Sequence, residues 1–232
     1  MPLGGIYIDM TYIVFVVPAI ILALYAQTKV SSTFNKYSKV GNRRGYTASD
    51  VARKILDRNG LYNVQIERVS GNLTDHFDPK TNVVRLSDST YNSTSVAAIG
   101  VAAHEVGHAV QHAEKYMPIK IRNSIVPIVQ FSSYLAWPLV IIGLILSFSG
   151  LVNFGIVLFT FVVAFQLITL PVEFNASSRA VRTLDEQLIL DEDEVKKAKK
   201  VLSAAAMTYV AAAAVAIGNL LRLLAISGRR ND

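Results

Sequence analysis

The chain has 232 residues, 52% of them hydrophobic, a net charge of +6 and no cysteine. Its long apolar runs exceed what a small soluble domain can bury and predict a membrane protein, while the lack of cysteine excludes disulfides, thiol nucleophiles and Cys-bound zinc. The Lys and Arg residues lie beside apolar segments and form no stripe interleaved with aromatic residues, which argues against nucleic-acid binding.

Apolar stretches long enough to cross a bilayer, about 17 to 25 residues each, occur in three regions of the chain. Residues 7–26 are predicted to be the first transmembrane helix, and because no Lys or Arg precedes Lys29 they are read as a retained anchor rather than a cleaved signal. Residues 126–171 are predicted to form a transmembrane hairpin. The alanine-rich residues 201–226 are predicted to be transmembrane helix 4, with a helix packed against the others as the alternative.

Basic residues near the span ends predict the orientation of the protein. They follow the first span, precede the second and lie between the third and the fourth, so that they all fall on one side of the membrane, the cytoplasmic side by the positive-inside rule. Only Arg229 and Arg230 in the tail oppose this pattern. The residues that set the orientation are Lys29, Lys36, Lys39, Arg43, Arg44, Lys115, Lys120, Arg122, Arg179, Arg182, Lys196, Lys197, Lys199 and Lys200.

Residues 30–122, between the first two spans, are predicted to form a small cytoplasmic α+β unit. The segment Thr47-Ala48-Ser49-Asp50 resembles a helix N-cap, and Asn59-Gly60 suits the end of that helix. Residues 62–69 and 83–86 have the alternation of strands, and the sequence LTDHFDPKTN between them is read as a loop.

A long helix over residues 95–116, capped by Ser93 or Thr94, carries the sequence His104-Glu105-Val106-Gly107-His108. Histidines four residues apart lie on one helix face and can bind one Zn²⁺, which lowers the pKa of a bound water to about 7. Glu105 lies beside the open coordination position, where it can act as the base. Chance is a poor explanation for this pattern in a chain with four histidines.

A catalytic zinc site needs a third protein ligand. His112 continues the same helix, but three imidazoles stepped along one straight helix cannot converge on one ion, so it is read as a supporting or surface residue. Glu173 follows the third span and returns to the same membrane face as His108. Alternatively, Glu173 is a helix-start carboxylate or an ion-pair partner of Arg179 or Arg182. The last histidine, His76, either lines the site as a donor or only satisfies a turn.

These motifs together resemble the YugP-type neutral zinc metallopeptidases of bacteria. The resemblance covers nearly the whole chain and includes LTDHFDP, VVRLS, AAHEVGHAVQH, PVEFNASSRA and AAAMTYVAAA. A more distant similarity links the chain to the HtpX and CAAX prenyl protease group, which are gluzincins. The apolar runs predict a mainly α membrane protein with about four transmembrane helices and a small α+β unit, and the similarity implies that this unit is zincin-like and holds one Zn²⁺ per chain. The implied ligands are His104, His108 and Glu173, with Glu105 as the base.

The gluzincin similarity carries one departure and one further expectation. Ser177 stands where the distant relatives have an Asp that supports a ligand histidine, so the support of the metal site must differ. In that group an edge strand before the active helix pairs with extended substrate, and here that strand would be residues 83–87.

The sequence therefore predicts a zinc-dependent endopeptidase in the bacterial plasma membrane that acts on membrane or membrane-proximal proteins at the cytoplasmic face. Its partners would be a protein or peptide substrate and the lipid bilayer, and its oligomeric state is left open. Residues 172–200 would form a cytoplasmic helical segment that carries the third ligand. Two alternatives are an intramembrane protease of the site-2 type and a non-proteolytic, zinc-binding scaffold or chaperone-like protein.

Overall fold

The computed structural model describes residues 10–228, so the first three residues of the predicted anchor and the basic pair Arg229 and Arg230 lie outside the described residues. The described chain is mainly helical, with seven helices and one small sheet. The elements in chain order are α1 (Met10–Phe15), α2 (Val17–Tyr37), α3 (Ala48–Arg58), β1 (Gln65–Val69), β2 (His76–Asp78), β3 (Val83–Ser87), α4 (Val96–Ala113), α5 (Met117–Ile145), α6 (Ser149–Glu186) and α7 (Glu192–Gly228).

Four helical stretches are long and apolar enough to cross a membrane: α1 with α2, α5, α6 and α7. The alanine-rich run within α7 therefore has the length and composition of a fourth span. A turn at Val16 separates α1 from α2. Pro18, two residues later, has no N–H to donate to the carbonyl of Val14, and this missing bond accounts for the interruption.

One of two compact units consists of residues 10–26, 121–169 and 208–228 within the described chain. Its helices pack through small residues: a Cβ on Gly155 of α6 would lie 2.8 Å from the carbonyl oxygen of Ala136 in α5. Large apolar side chains such as Tyr134 and Ile145 are 79% and 75% exposed. Close backbone packing inside and exposed apolar side chains outside are what a helix bundle in lipid requires.

The other unit consists of residues 27–120 and 170–207. Its buried core combines side chains from α3, α4, the sheet, the last third of α6 and the first turns of α7, among them Leu56, Val84, Ile99, Val106 and Leu184. Thr47 caps α3 in a reciprocal capping box with Asp50, as the sequence indicated, and Gly60 adopts a left-handed φ of +70° just after the helix.

The sheet differs from the predicted one. The segment read as a loop contains β2, and the strand order is β1-β3-β2, with β3 parallel to β1 and antiparallel to β2. A tight turn allows this pairing, because Asp78 accepts bonds from the Thr81 hydroxyl at 2.7 Å and the Lys80 N–H at 2.9 Å. The pKa of the Asp78 carboxyl is held below its usual range by hydrogen bonds from Thr81, Lys80 and Arg85, in decreasing order of effect.

The prediction that residues 83–87 form an edge strand for substrate is therefore wrong. Both edges of β3 are occupied by β1 and β2, so its backbone groups already have partners within the sheet. The strand beginning at residue 62 is also shorter than predicted, since β1 starts at Gln65. The strand that follows Gly71 is β2, which lies at one edge of the sheet. It has only three residues and is followed by Pro79, so the sequence did not predict it.

Candidate metal centre

Helix α4 presents His104 and His108 one turn apart on the same face. Ser95, and not Ser93 or Thr94 as predicted, caps the helix by accepting a bond from the Ala98 N–H at 3.2 Å, which fixes where α4 begins. The two imidazole centroids lie 4.7 Å apart, with ring planes nearly perpendicular at 85°. Both side chains are only 13% and 12% exposed, so they lie in a largely enclosed position.

Helix α6 adds the third group, Glu173, whose residue is 4% exposed. Its Oε2 lies 3.3 Å from Nε2 of His104 and 3.5 Å from Nε2 of His108. The three ligand atoms all lie within 4.8 Å of one another, and they form the metal-ligand cluster found within residues 10–228. Two ligands at about 2.0 to 2.1 Å from a tetrahedral zinc ion are about 3.3 Å apart. The donor set and the two distances from Glu173 to the histidines therefore fit a zinc ion.

Electrostatics at the cluster favour a cation. Burial lowers the pKa of His108, but the bond to Glu173 and the charges of Glu105 and Glu173 outweigh burial and raise that pKa above its ordinary value. The two carboxylates thus create a local excess of negative charge beside the imidazoles. A divalent cation held by the ligand atoms would neutralise this negative charge, which without the cation favours protonation of His108.

Both histidines are oriented through their second nitrogen. The Nδ1 of His104 lies 3.1 Å from Oγ of Ser177, and the Nδ1 of His108 lies 3.0 Å from Oε1 of Gln111. An Nδ1–H bound in this way leaves Nε2, the atom that faces Glu173, with its lone pair available for a metal. The hydroxyl of Ser177, rather than a carboxylate, thus makes the contact to Nδ1 of His104.

Gln111 is a site residue that the sequence analysis did not identify. Its side chain is completely buried, and its Nε2 donates to the Val172 carbonyl and to Oδ1 of Asn175, each at 2.9 Å. These two donated bonds define the amide orientation, so Oε1 is the atom that accepts from His108. The signal in the sequence is a polar residue at i+3 from His108 on the helix face that is otherwise buried.

The same network reaches the helix end. Oδ1 of Asn175 also accepts a 2.7 Å bond from Nε of Arg179, and the Arg179 guanidinium forms a 2.7 Å ion pair with Glu114. Arg179 thus binds Asn175 and Glu114, whereas one reading of the sequence made it a partner of Glu173. The network joins α4 to α6 through the residues that orient His108.

The other two histidines lie outside the cluster. His112, one turn beyond His108, is exposed and packs against the Phe77 ring with centroids 5.8 Å apart. His76 is also exposed, and its Nδ1 lies 2.8 Å from the Thr74 carbonyl oxygen, which is the contact of a local turn. Glu105 is half-buried beside the two ligand histidines, close enough for its charge to act on His108.

Gly107 sets the distance between the two helices. A Cβ at this position would lie 2.9 Å from the carbonyl oxygen of Ala176, a backbone atom that cannot move without its helix. We expect Gly107→Ala to separate α4 from α6, to weaken zinc binding about tenfold or more, and to destabilise the protein by about 1–3 kcal/mol. Zinc affinity and thermal unfolding of the detergent-purified variant measure both effects.

Gly100→Ala is the matched control for this prediction. It lies on the same helix and gains the same helix propensity, but its Cβ would lie 3.4 Å from the Ala198 methyl group, close to an ordinary contact. Equal zinc affinity in the Gly107→Ala and Gly100→Ala proteins would show that the close helix approach does not control the metal site.

Comparisons with known proteins relate the chain to zinc peptidases and to a membrane protease. A family model described as "Putative neutral zinc metallopeptidase" matches residues 12–228. The "Putative membrane protease YugP" of Bacillus subtilis (strain 168) is 50% identical over 217 residues, which cover 94% of this chain and 96% of that protein. No solved structure gives a significant match to the chain.

Proposed function

Because the chain belongs to the family of neutral zinc metallopeptidases, we propose that it is a membrane-embedded endopeptidase. Its substrates are peptide bonds of membrane or membrane-proximal proteins. The observation that carries the proposal is the convergence of His104, His108 and Glu173 within one cluster, with Glu105 beside it on α4. Two imidazoles and one carboxylate are the protein ligands of a catalytic zinc site that keeps one position open.

A zinc ion held by these three ligands would activate a water molecule as the nucleophile and polarise the scissile carbonyl. In this proposal Glu105 accepts the proton from that water and donates it to the leaving amine. Ser177 and Gln111 hold the two imidazoles with Nε2 toward the ligand cluster. Gly107 keeps α4 and α6 close enough for Glu173 to reach both histidines.

We place the active site at the cytoplasmic face of the membrane. The positive-inside distribution of Lys and Arg supports this orientation. All three ligands and Glu105 belong to the unit of residues 27–120 and 170–207, which has its own folded core and its own sheet. That placement favours a protease that cleaves at the membrane surface with a folded unit. It argues against an intramembrane protease of the site-2 type.

The second candidate function is a catalytically silent zinc scaffold. A structural zinc site closes its coordination with four protein ligands, whereas the cluster in residues 10–228 offers three. In the described part of the chain, Glu105 makes no hydrogen bond or ion pair that would give its carboxylate a structural role. Both observations favour hydrolysis over a scaffold role.

Metal removal tests the proposal directly. We expect the detergent-purified protein to contain about one zinc ion, to cleave an unfolded protein such as casein, and to lose cleavage when a chelator removes the metal. Added Zn²⁺ should restore cleavage, because the ligands are held by α4 and α6 and not by the ion alone. A protein that binds zinc tightly but cleaves neither casein nor membrane-protein substrates before or after this cycle would favour the scaffold.

A further inference from the structure

A large open cavity lies in the unit of residues 27–120 and 170–207, between the second half of α2 and the first turns of α7. Its volume is about 820 Å³. Five lysines line it although they come from two distant segments of the chain, residues 29–36 and 196–200. They are Lys29, Lys36, Lys196, Lys199 and Lys200.

Most of these lysines have no acidic partner. Lys196 forms a 2.6 Å ion pair with Glu192 one turn before it. For Lys29, Lys36, Lys199 and Lys200, no carboxylate of residues 10–228 lies within ion-pair distance. Ammonium groups of like charge around one cavity repel one another, and the repulsion is relieved when an anion lies between them.

The wall beneath the lysines is apolar. Tyr37 and Ala204 line the cavity and are 8% and 3% exposed, and Met207 lies beside them. The methylene stems of the lysines extend this apolar surface while their ammonium groups stay in water. The cavity therefore offers a cationic rim above an apolar wall, which is the complement of an anionic amphiphile and not of a small hydrophilic anion.

The lysines also lie where membrane-spanning stretches end. Lys29 follows the apolar first half of α2, and the apolar run of α7 begins directly after Lys200. The positive-inside rule explains why these charges share one side of the membrane, but it does not explain why two segments distant in the sequence line one cavity. We propose that this cavity binds an anionic phospholipid, with the headgroup phosphate held by the lysines and the acyl chains along the apolar wall.

The test measures lipid retained by the full-length protein. The chain is placed in nanodiscs with equal amounts of phosphatidylglycerol and phosphatidylcholine, and the lipids that remain bound on release are counted by native mass spectrometry. The cavity variant combines Lys29→Gln, Lys199→Gln and Lys200→Gln. The matched control combines Lys80→Gln, Lys115→Gln and Lys120→Gln, which removes the same charge outside the cavity.

We expect wild type and the control to retain phosphatidylglycerol in preference to phosphatidylcholine. The cavity variant should retain at least about tenfold less phosphatidylglycerol than wild type. Ser203→Trp, which fills the cavity and keeps all five lysines, should also release the lipid. Zinc content reports whether each variant is folded, independently of any peptidase activity.

Three results would overturn the proposal. The first is equal retention of phosphatidylglycerol by the cavity variant and the control, which would reduce the lysines to a general surface charge. The second is equal retention of the two lipids by wild type. The third is full displacement of the lipid by excess inorganic phosphate, which would identify a site for free phosphate in place of a lipid.

Discussion

Glu105→Gln is expected to keep its zinc and lose peptide cleavage. The substitution leaves the ligands His104, His108 and Glu173 in place, and the amide has nearly the shape of the carboxylate. It removes one of the two carboxylates, Glu105 and Glu173, whose negative charge acts on His108. Loss of a positioned general base lowers the rate about 10² to 10⁴-fold. Single-turnover cleavage of casein and metal content by mass spectrometry, from one preparation, measure both properties.

Two controls make this prediction specific. Glu67→Gln changes an exposed carboxylate on β1 that pairs with Arg85, and cleavage should persist in that variant because Glu67 lies outside both the ligand cluster and the network that joins α4 to α6. Glu105→Asp keeps the charge but shortens the side chain, so that an intermediate rate is expected. If Glu105→Gln cleaves casein as fast as wild type while retaining zinc, the base is another residue and the proposed mechanism fails.

Glu173→Gln is expected to lose both zinc and activity. The carboxylate supplies the one anionic ligand, and its Oε2 lies within 3.5 Å of both imidazole nitrogens. A neutral amide at this buried position offers a weaker ligand and removes the charge that compensates the cation. Since partners of the ligands are themselves worth about 10- to 100-fold in metal affinity, loss of a direct ligand should cost at least about 100-fold. Zinc affinity by competition with a chromogenic chelator measures the change.

Glu186→Gln is the matched control on the same helix. Glu186 is exposed and lies at the end of α6, so its neutralisation changes the net charge equally without altering the ligand cluster. We expect wild-type zinc affinity in that variant. Wild-type affinity in Glu173→Gln as well would show that the third ligand lies elsewhere, and would leave the close approach of Glu173 to the histidines as a simple buried ion pair.

The residues of the candidate site that could be predicted from the sequence are ionisable side chains at positions where such side chains are unusual. His104, Glu105 and His108 form a local pattern on one helix, so their proximity follows from helix geometry alone. Glu173 required a topological argument, because an even number of spans returns the chain to the same side. The structure brings the side chains of His104, His108 and Glu173 together.

Gln111 and the sheet order could not be predicted in the same way. The orientation of the Gln111 amide toward His108 is set by its bonds to Val172 and Asn175, which are more than sixty residues away in the sequence. The order of β1, β3 and β2 depends on pairing between segments separated by a turn, and β2 has only three residues. Such a short strand shows no alternation, so its existence is decided by its partner β3 and by the turn that Asp78 stabilises.

Helix α6 carries the third ligand on the same continuous run of residues that forms an apolar span, from Ser149 to Glu186. In a helix, one inserted or deleted residue rotates everything beyond it by about 100° and shifts it by about 1.5 Å. An insertion or deletion before Glu173 therefore turns its carboxylate away from the imidazoles unless the whole span slides to compensate. Gaps should accordingly be rare in this helix among functioning relatives, whereas point substitutions on its lipid-facing side should accumulate freely.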